Sequence, residues 1–184
     1  VLGFPGRTDE YLPSVAIDQI VNKLNPDKIA IREASLAIMD KYMRQDSQIK
    51  IQYASKYAGI ANYWKKWIGE TQGLTKTNAV AKKKLLENDF QNIVNQKGMT
   101  TYQNLLSDFE TLYDEYGEKA QERDYFVEIF LRNVDGLFLT YRLYQLEQVN
   151  EKQGVEAYLN ERDKLMESLK TFYKDFNVRL DQDL

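Results

Sequence analysis

The sequence has no cysteine and no histidine among its 184 residues. Without cysteine the chain cannot form disulfides, thiolate nucleophiles or zinc–thiolate sites. Without histidine it cannot by itself build a Ser-His-Asp triad or the usual ligand sets of zinc hydrolases and di-iron helix bundles. We therefore expect no catalytic residue, no metal site and no cofactor within this chain.

Long apolar runs and a strong charge of either sign are also missing. No run approaches the length needed to span a bilayer, which argues against membrane insertion. The net charge of −3 predicts no general attraction to nucleic acid or to anionic membranes. The composition, 43% hydrophobic and 29% charged, is typical of a soluble globular protein. Because the chain starts at Val1 without a signal peptide, we expect a piece excised from a larger protein.

Apolar residues recur at helical spacing along almost the whole chain, and no alternating strand pattern follows the first few residues. The sequence therefore predicts an all-α fold of about seven helices in an antiparallel, bundle-like arrangement, preceded by a short strand or turn remnant. The helices are expected at approximately residues 13–24, 26–44, 47–73, 78–95, 100–117, 119–149 and 155–176.

Some of these predictions depend on particular residues. Asn25-Pro26-Asp27 is interpreted as the stop of one helix and the start of the next, because proline is favoured in a first turn. Gly69 and Gly73 are expected to end the third helix, and Gly117 to end or kink a later one. The segment 119–149 is predicted to be buried on most sides, since it carries an apolar stripe of Phe126, Phe130, Val134, Leu137, Tyr141 and Tyr144.

The helix expected from residue 47 onward has two faces of different chemistry. One stripe is apolar and suited to a core: Tyr57, Ala61, Trp64 and Ile68. The other stripe is small or polar: Ser55, Gly59, Asn62 and Lys66. Glycine destabilises a helix interior by ~1 kcal/mol relative to alanine, so a glycine near an amide suggests close approach by another group. That group is either a second helix, with Asn62 left in solvent, or a bound ligand.

Other patterns indicate ordinary structure. Asp46-Ser47 is interpreted as a break and a new helix cap. Ser47 and Lys50 have the Ser-x-x-Lys spacing of penicillin-binding proteins, but the accompanying Ser-Asp-Asn and Lys-Thr-Gly elements are missing, so Ser47 is interpreted as a helix N-cap. An acidic stripe is interpreted as a solvated face because one helix face cannot surround a cation: Glu110, Asp114, Glu118 and Glu122. A basic patch is interpreted in the same way: Lys76, Lys82, Lys83 and Lys84.

Five blocks of the sequence together resemble one protein family. They are residues 3–8 (GFPGRT), 10–14 (EYLPS), 38–43 (IMDKYM), 53–59 (YASKYAG) and 61–69 (ANYWKKWIG). The blocks resemble the helical domain of the bacterial dipeptidyl-peptidase 7 and 11 family, which is serine peptidase family forty-six. The resemblance is specific over residues 1–70 and more generic over residues 75–180.

The resemblance implies a larger parent protein. That family combines a chymotrypsin-like double β-barrel, which carries a Ser-His-Asp triad, with an inserted helical domain that caps the cleft. Its members remove dipeptides from peptide N-termini. Residues 1–12 would then end a barrel strand and cross over, and residues 13–184 would form the cap, which is inactive alone. The resemblance also implies a peptide substrate held together with the barrel domains and a periplasmic, cell-surface or secreted location, and it allows a homodimeric parent.

By the same resemblance, Asn62 is the substrate-binding residue that helps to hold the ammonium group of the substrate's N-terminus. The residues expected to line the cleft beside it are Ser55, Gly59 and Lys66. The pocket that selects the P1 side chain would belong to the barrels. The alternative hypothesis is a free-standing helical interaction module without catalysis, which binds a partner protein through the region of Trp64 and Trp67.

Overall fold

The computed structural model describes the backbone of residues 11–174 and the side chains of residues 11–170. Every regular element in this range is helical, which confirms the predicted all-α fold. The predicted strand remnant at residues 1–12 falls almost entirely outside the described residues.

The α-helices within residues 11–174 are α1 (Ser14–Gln19), α2 (Asn25–Met43), α3 (Ser47–Lys76), α4 (Ala79–Gln96), α5 (Leu105–Tyr125), α6 (Asp135–Gln153) and α7 (Val155–Lys174). A π-helical turn (Ile20–Leu24) joins α1 to α2, and a second π-helical segment (Phe126–Asn133) extends α5. A 3-10 turn (Thr100–Tyr102) precedes α5. Because α1 and α2 are continuous, this range contains six separate helices.

The predicted break at Asn25-Pro26-Asp27 is wrong, because the helix runs through it. Proline removes a backbone donor and crowds the carbonyl one turn before it. The preceding π-helical turn is wider, with the backbone N–H of Asn25 donating to the carbonyl of Ile20. We attribute the continuous helix to the room that this turn provides. The Asn25 side chain is only 1% exposed and donates to Glu70 at 3.0 Å and Thr71 at 3.1 Å.

The predicted single helix over residues 119–149 is also wrong. The backbone leaves helical geometry at Val134 (φ −116°, ψ 100°), which separates the second π-helical segment from α6. The aromatic stripe is not buried on most sides, since Phe126 and Phe130 are each 39% exposed. Phe126 stacks on Phe130 and meets Tyr141 edge to face, both with 5.3 Å between ring centres. These rings therefore cover one another instead of entering a closed core.

Three glycines differ from their predicted roles. Gly69 and Gly73 lie inside α3, which ends at Lys76. Gly117 lies inside α5 and is buried, where an added Cβ would be 2.7 Å from Nε2 of Gln19. Gln19 donates through this nitrogen to a backbone carbonyl of α5 at 2.5 Å, so the missing side chain at Gly117 makes room for that bond. Gly98, with a φ of +59°, follows the end of α4 as predicted.

The chain divides into two compact units. Unit 1 comprises residues 1–27 and 66–122, and unit 2 comprises residues 28–65 and 123–184. Within unit 1, α1 packs on α4. There, the backbone N–H and the hydroxyl of Ser14 donate to the Glu87 carboxylate at 2.6 and 2.5 Å.

Unit 2 contains two clusters of buried apolar side chains. The first cluster consists of Leu36, Met39, Tyr53, Ile60 and Ala61. The second cluster consists of Leu146, Leu165 and Leu169. The second cluster lies between α6 and α7, which are joined by the single residue Gly154 with a φ of +84°. This pair confirms the prediction that a short connection makes sequential helices neighbours.

Candidate functional site

The apolar face of α3 is packed, as the sequence predicts. In unit 2, Ala61 belongs to the first cluster, and Tyr57 and Trp64 pack against it. Ile68, in the unit 1 part of the helix, is half-buried. Because this face of α3 is packed, the opposite face is the one that remains available for contacts with other molecules.

The small and polar face of α3 is open in unit 2. Ser55, Gly59 and Asn62 are all exposed. A Cβ built on Gly59 would meet no atom within 4 Å in the part of the chain that the structure describes. The alternative of a tight helix crossing at Gly59 is therefore wrong for residues 11–170. The space beside Asn62 is accessible to a ligand.

Lys66 is the first residue of α3 that belongs to unit 1. Its side chain is 57% exposed, and its ammonium group lies 3.6 Å from the Glu70 carboxylate. An exposed pair of this kind on a helix contributes only ~0.3–0.5 kcal/mol. Lys66 is therefore a solvated ammonium whose charge is partly balanced by its neighbour.

The sequence predictions missed a buried ion pair in unit 2. Arg32 of α2 and Glu128 of the second π-helical segment are 6% and 4% exposed. Nε and Nη2 of Arg32 donate to the two carboxylate oxygens of Glu128 at 2.7 and 3.0 Å. A signal was present, because Arg32 lies at helical spacing between Ile29 and Leu36 on an apolar stripe. Arginine is almost never fully buried without a partner.

This ion pair is connected to the turn of α3 that carries Asn62. Nη1 of Arg32 donates to the backbone carbonyl of Ile60 at 3.2 Å, and the guanidinium carbon lies 5.3 Å from the centre of the Tyr63 ring. On the other side of the pair, Nδ2 of Asn133 donates to the Glu128 carboxylate at 3.2 Å and to the Glu128 backbone carbonyl at 2.6 Å. The network thus links α2, α3 and the second π-helical segment.

A second ion pair joins α3 to the start of α6 within unit 2. The Lys56 ammonium group lies 3.0 Å from the Asp135 carboxylate, with both side chains less than a fifth exposed. Asp135 is the first residue of α6, where the helix dipole favours a negative charge. The Lys56 ammonium also lies 5.9 Å from the centre of the Tyr53 ring. This pair therefore anchors α3 to the start of α6 at Lys56, the residue that follows Ser55.

The two tryptophans do not form an exposed surface. Trp67 is 8% exposed, and Trp64 packs against the first cluster. Of the aromatic residues in this region, Tyr63 is 52% exposed, so a partner bound there, as the alternative hypothesis proposes, would contact Tyr63 more than the indole of Trp67.

The helix cap predicted at Asp46-Ser47 is confirmed, but the capping residue is Asp46, so the assignment of the cap to Ser47 is wrong. Asp46 Oδ1 accepts hydrogen bonds from the backbone N–H groups of Gln48 at 2.6 Å and Ile49 at 3.3 Å. These are the second and third residues of the helix, which is the usual geometry of an aspartate cap.

The acidic stripe of α5 is solvated as predicted, because all four of its carboxylates are exposed: Glu110, Asp114, Glu118 and Glu122. No three side chains of the metal-ligating types Asp, Glu, His and Cys are grouped within the described residues. Among the described helices, none combines the length and apolar character that crossing a membrane requires.

Comparison with known proteins gives one consistent result. The sequence model that defines the peptidase S46 family matches residues 1–184 of this chain. An Asp/Glu-specific dipeptidyl-peptidase of Flavobacterium psychrophilum is 53% identical over 183 residues, which are 99% of this chain and 26% of that protein. An Asp/Glu-specific dipeptidyl-peptidase of Capnocytophaga gingivalis is 44% identical over 100% of this chain and 26% of its own length.

A dipeptidyl-peptidase 7 of Porphyromonas gingivalis is 32% identical over 98% of this chain and 24% of its own length. The chain thus spans about a quarter of the length of the curated relatives it matches. The resemblance drawn from the five sequence blocks is confirmed.

Proposed function

The chain belongs to the peptidase S46 family, and from this premise we propose that it is the substrate-capping helical domain of a dipeptidyl-peptidase. The larger enzyme releases dipeptides from peptide N-termini, an activity that the names of the relatives support. Residues 13–184 form the cap, and residues 1–12 lead into it from the barrels. The cap is inactive alone, because it has no histidine for a Ser-His-Asp triad.

One observation supports a substrate-binding role for Asn62. Its amide stands on an exposed helix face beside Ser55 and Gly59, with open space where a larger side chain at Gly59 would lie. The opposite face of the same helix packs into the first cluster. The amide is thus presented from a fixed support toward free space, which is the arrangement that a binding residue needs.

The chemistry of an amide suits a peptide's free N-terminus. The side-chain oxygen of Asn62 accepts a hydrogen bond from the substrate ammonium without adding a charge that must itself be desolvated. A hydrogen bond to a charged group contributes ~1.5–3 kcal/mol, which corresponds to about ten- to a hundredfold in kcat/KM. Holding the amine at a set distance from the nucleophile limits cleavage to the second peptide bond.

Within this proposal the parent enzyme is specific for acidic P1 residues. Two of the relatives named Asp/Glu-specific are 53% and 44% identical to this chain, whereas the dipeptidyl-peptidase 7 of Porphyromonas gingivalis is 32% identical. Comparing release of dipeptides ending in aspartate and in leucine tests this directly. Preference for leucine would contradict it.

The family resemblance is also the basis for two further parts of the proposal. The parent is located in the periplasm or at the cell surface, or is secreted, and it is a homodimer that binds its peptide substrate jointly through cap and barrels. Cell fractionation tests the location, and analytical ultracentrifugation of the full-length parent tests the dimer.

The decisive experiment is dipeptide release by the full-length parent carrying Asn62→Ala. Rates on a free-amine peptide and on its N-acetylated form are compared with those of wild type. We expect kcat/KM to fall about ten- to a hundredfold on the free-amine peptide and to stay nearly unchanged on the acetylated one.

Asn92→Ala is the matched control, since it deletes the same amide from an exposed position on α4. This variant should keep the wild-type ratio of the two rates. Equal rates for Asn62→Ala and wild type on both peptides would refute the role of Asn62.

A further inference from the structure

The turn of α3 that carries Asn62 is contacted on its packed side by the guanidinium group of Arg32. That group bonds to the carbonyl of Ile60 at 3.2 Å and lies over the ring of Tyr63 at 5.3 Å. These two residues flank Asn62 along the helix. The N–H donors of a guanidinium group lie in one rigid plane. The group therefore restrains both the position of this turn along the axis of α3 and its rotation about that axis.

Arg32 is itself held in one orientation by Glu128. The two carboxylate oxygens accept from Nε at 2.7 Å and Nη2 at 3.0 Å, which is a bidentate arrangement. Bidentate, charge-assisted hydrogen bonds combine strength with a defined geometry. With both side chains at least nine-tenths buried, water does not compete for these bonds.

Glu128 is in turn fixed by its own segment. Asn133 donates to the Glu128 carboxylate at 3.2 Å and to its backbone carbonyl at 2.6 Å across the second π-helical segment. Replacing a buried ion pair by apolar residues of similar volume is often neutral or stabilising, so stability alone does not account for it. Irregular helical turns of this kind are found frequently at functional sites.

We propose that Arg32, held by Glu128, is a positioning residue that sets the location of the Asn62 amide relative to the bound substrate. This inference rests on the amine-binding function proposed above and extends it to residues that do not touch the substrate. Asn62 is exposed, so its position depends on the backbone that carries it. A displacement of about 1 Å at a reacting geometry can lower a rate by about a hundredfold.

The test uses the full-length parent carrying the double substitution Arg32→Met, Glu128→Leu. This variant removes both charges together, so neither is left buried without a partner. The readout is the ratio of kcat/KM on the free-amine peptide to kcat/KM on its N-acetylated form. We expect this ratio to fall roughly three- to tenfold while the acetylated rate stays within about twofold of wild type.

The matched control is Lys28→Met, Asp124→Leu. Lys28 and Asp124 form an ion pair at 3.3 Å, four residues before Arg32 and Glu128 respectively. It therefore joins α2 to the last turn of α5, about one helical turn before the Arg32–Glu128 pair along both helices. The control should leave the ratio unchanged. A purely structural role for Arg32 would make the two double variants behave alike.

Arg32→Lys is a second variant in case the double substitution unfolds the enzyme. Lysine keeps the charge opposite Glu128, but a single ammonium cannot reproduce the planar fork that reaches Glu128 and Ile60 together. We expect a fall of about two- to fivefold in the same ratio.

Combining the double substitution with Asn62→Ala separates the two proposals. If Arg32 acts through Asn62, the double substitution changes the ratio no further once Asn62 is alanine. An additive effect would overturn the positioning role. A normal ratio in the double variant, with a reduced one in Asn62→Ala, would refute this inference alone. A normal ratio in Asn62→Ala would refute both the amine-binding function and this inference.

Discussion

Glu128→Ala is the substitution for which the structure predicts the largest loss of stability. It removes both acceptors of the bidentate bond from Arg32 and one of the two acceptors of Asn133 Nδ2. Arg32 is only 6% exposed, so its charge would remain buried after losing both hydrogen bonds to the Glu128 carboxylate. Truncating one partner of a buried ion pair costs ~3–5 kcal/mol, because the remaining charge keeps its desolvation penalty.

The expected shift in melting temperature follows from the length of the chain. For 184 residues, each kcal/mol corresponds to about 2–4 °C, so Glu128→Ala should lower Tm by about 6–20 °C. The double substitution Arg32→Met, Glu128→Leu leaves no orphaned charge and should stay within about 1 kcal/mol of wild type. Glu167→Gln, which removes one partner of an exposed pair with Lys170, should change stability by less than about 1 kcal/mol.

Urea denaturation of the 184-residue chain, followed by helical circular dichroism, measures these differences. The slope of the unfolding free energy against urea should be the same for all variants, so that the midpoints report stability. If Glu128→Ala unfolds within about 1 kcal/mol of wild type, the charge of Arg32 is not buried as described. If the double substitution costs as much as Glu128→Ala, the loss comes from packing and not from an orphaned charge.

Four further substitutions are tested in the same denaturation assay. Gly117→Ala should destabilise by ~1–3 kcal/mol, because its Cβ would lie 2.7 Å from Nε2 of Gln19. Gly69→Ala should instead stabilise by up to ~1 kcal/mol, since open space surrounds that position; equal effects of the two glycine substitutions would contradict this reasoning. Asn25→Ala should cost ~2–3 kcal/mol because two buried hydrogen bonds are lost; a neutral result would mean that solvent replaces them. Asp46→Ala should cost ~1 kcal/mol as the loss of a helix cap, and no change would place the cap on another residue.

Local periodicity was sufficient for much of α3. The spacing of Tyr57, Ala61 and Trp64 predicted the packed face, and the structure confirms it. The small and polar residues opposite were predicted as a distinct face, and Ser55 and Asn62 are exposed there. Such patterns can be predicted because helix geometry alone decides which residues share a face.

Local rules failed where a neighbour far along the chain, or an irregular turn, decided the outcome. Pro26 does not end its helix, because a π-helical turn precedes it. Gly59 and Gly117 are both glycines inside helices, yet one faces open space and the other faces Gln19. Which of the two glycines faces a neighbour depends on Gln19, which lies 98 residues before Gly117 in the sequence.

The sequence by itself determined the helical class, the two faces of α3 and, through the five blocks of residues, the peptidase S46 family. Only the tertiary structure decided that Arg32 pairs with Glu128, 96 residues away, and that this pair contacts the turn of Asn62. The physical reason is the range of the interactions. Hydrophobic periodicity is set by residues three and four apart, whereas a buried charge is stable only where folding brings its partner within hydrogen-bonding distance.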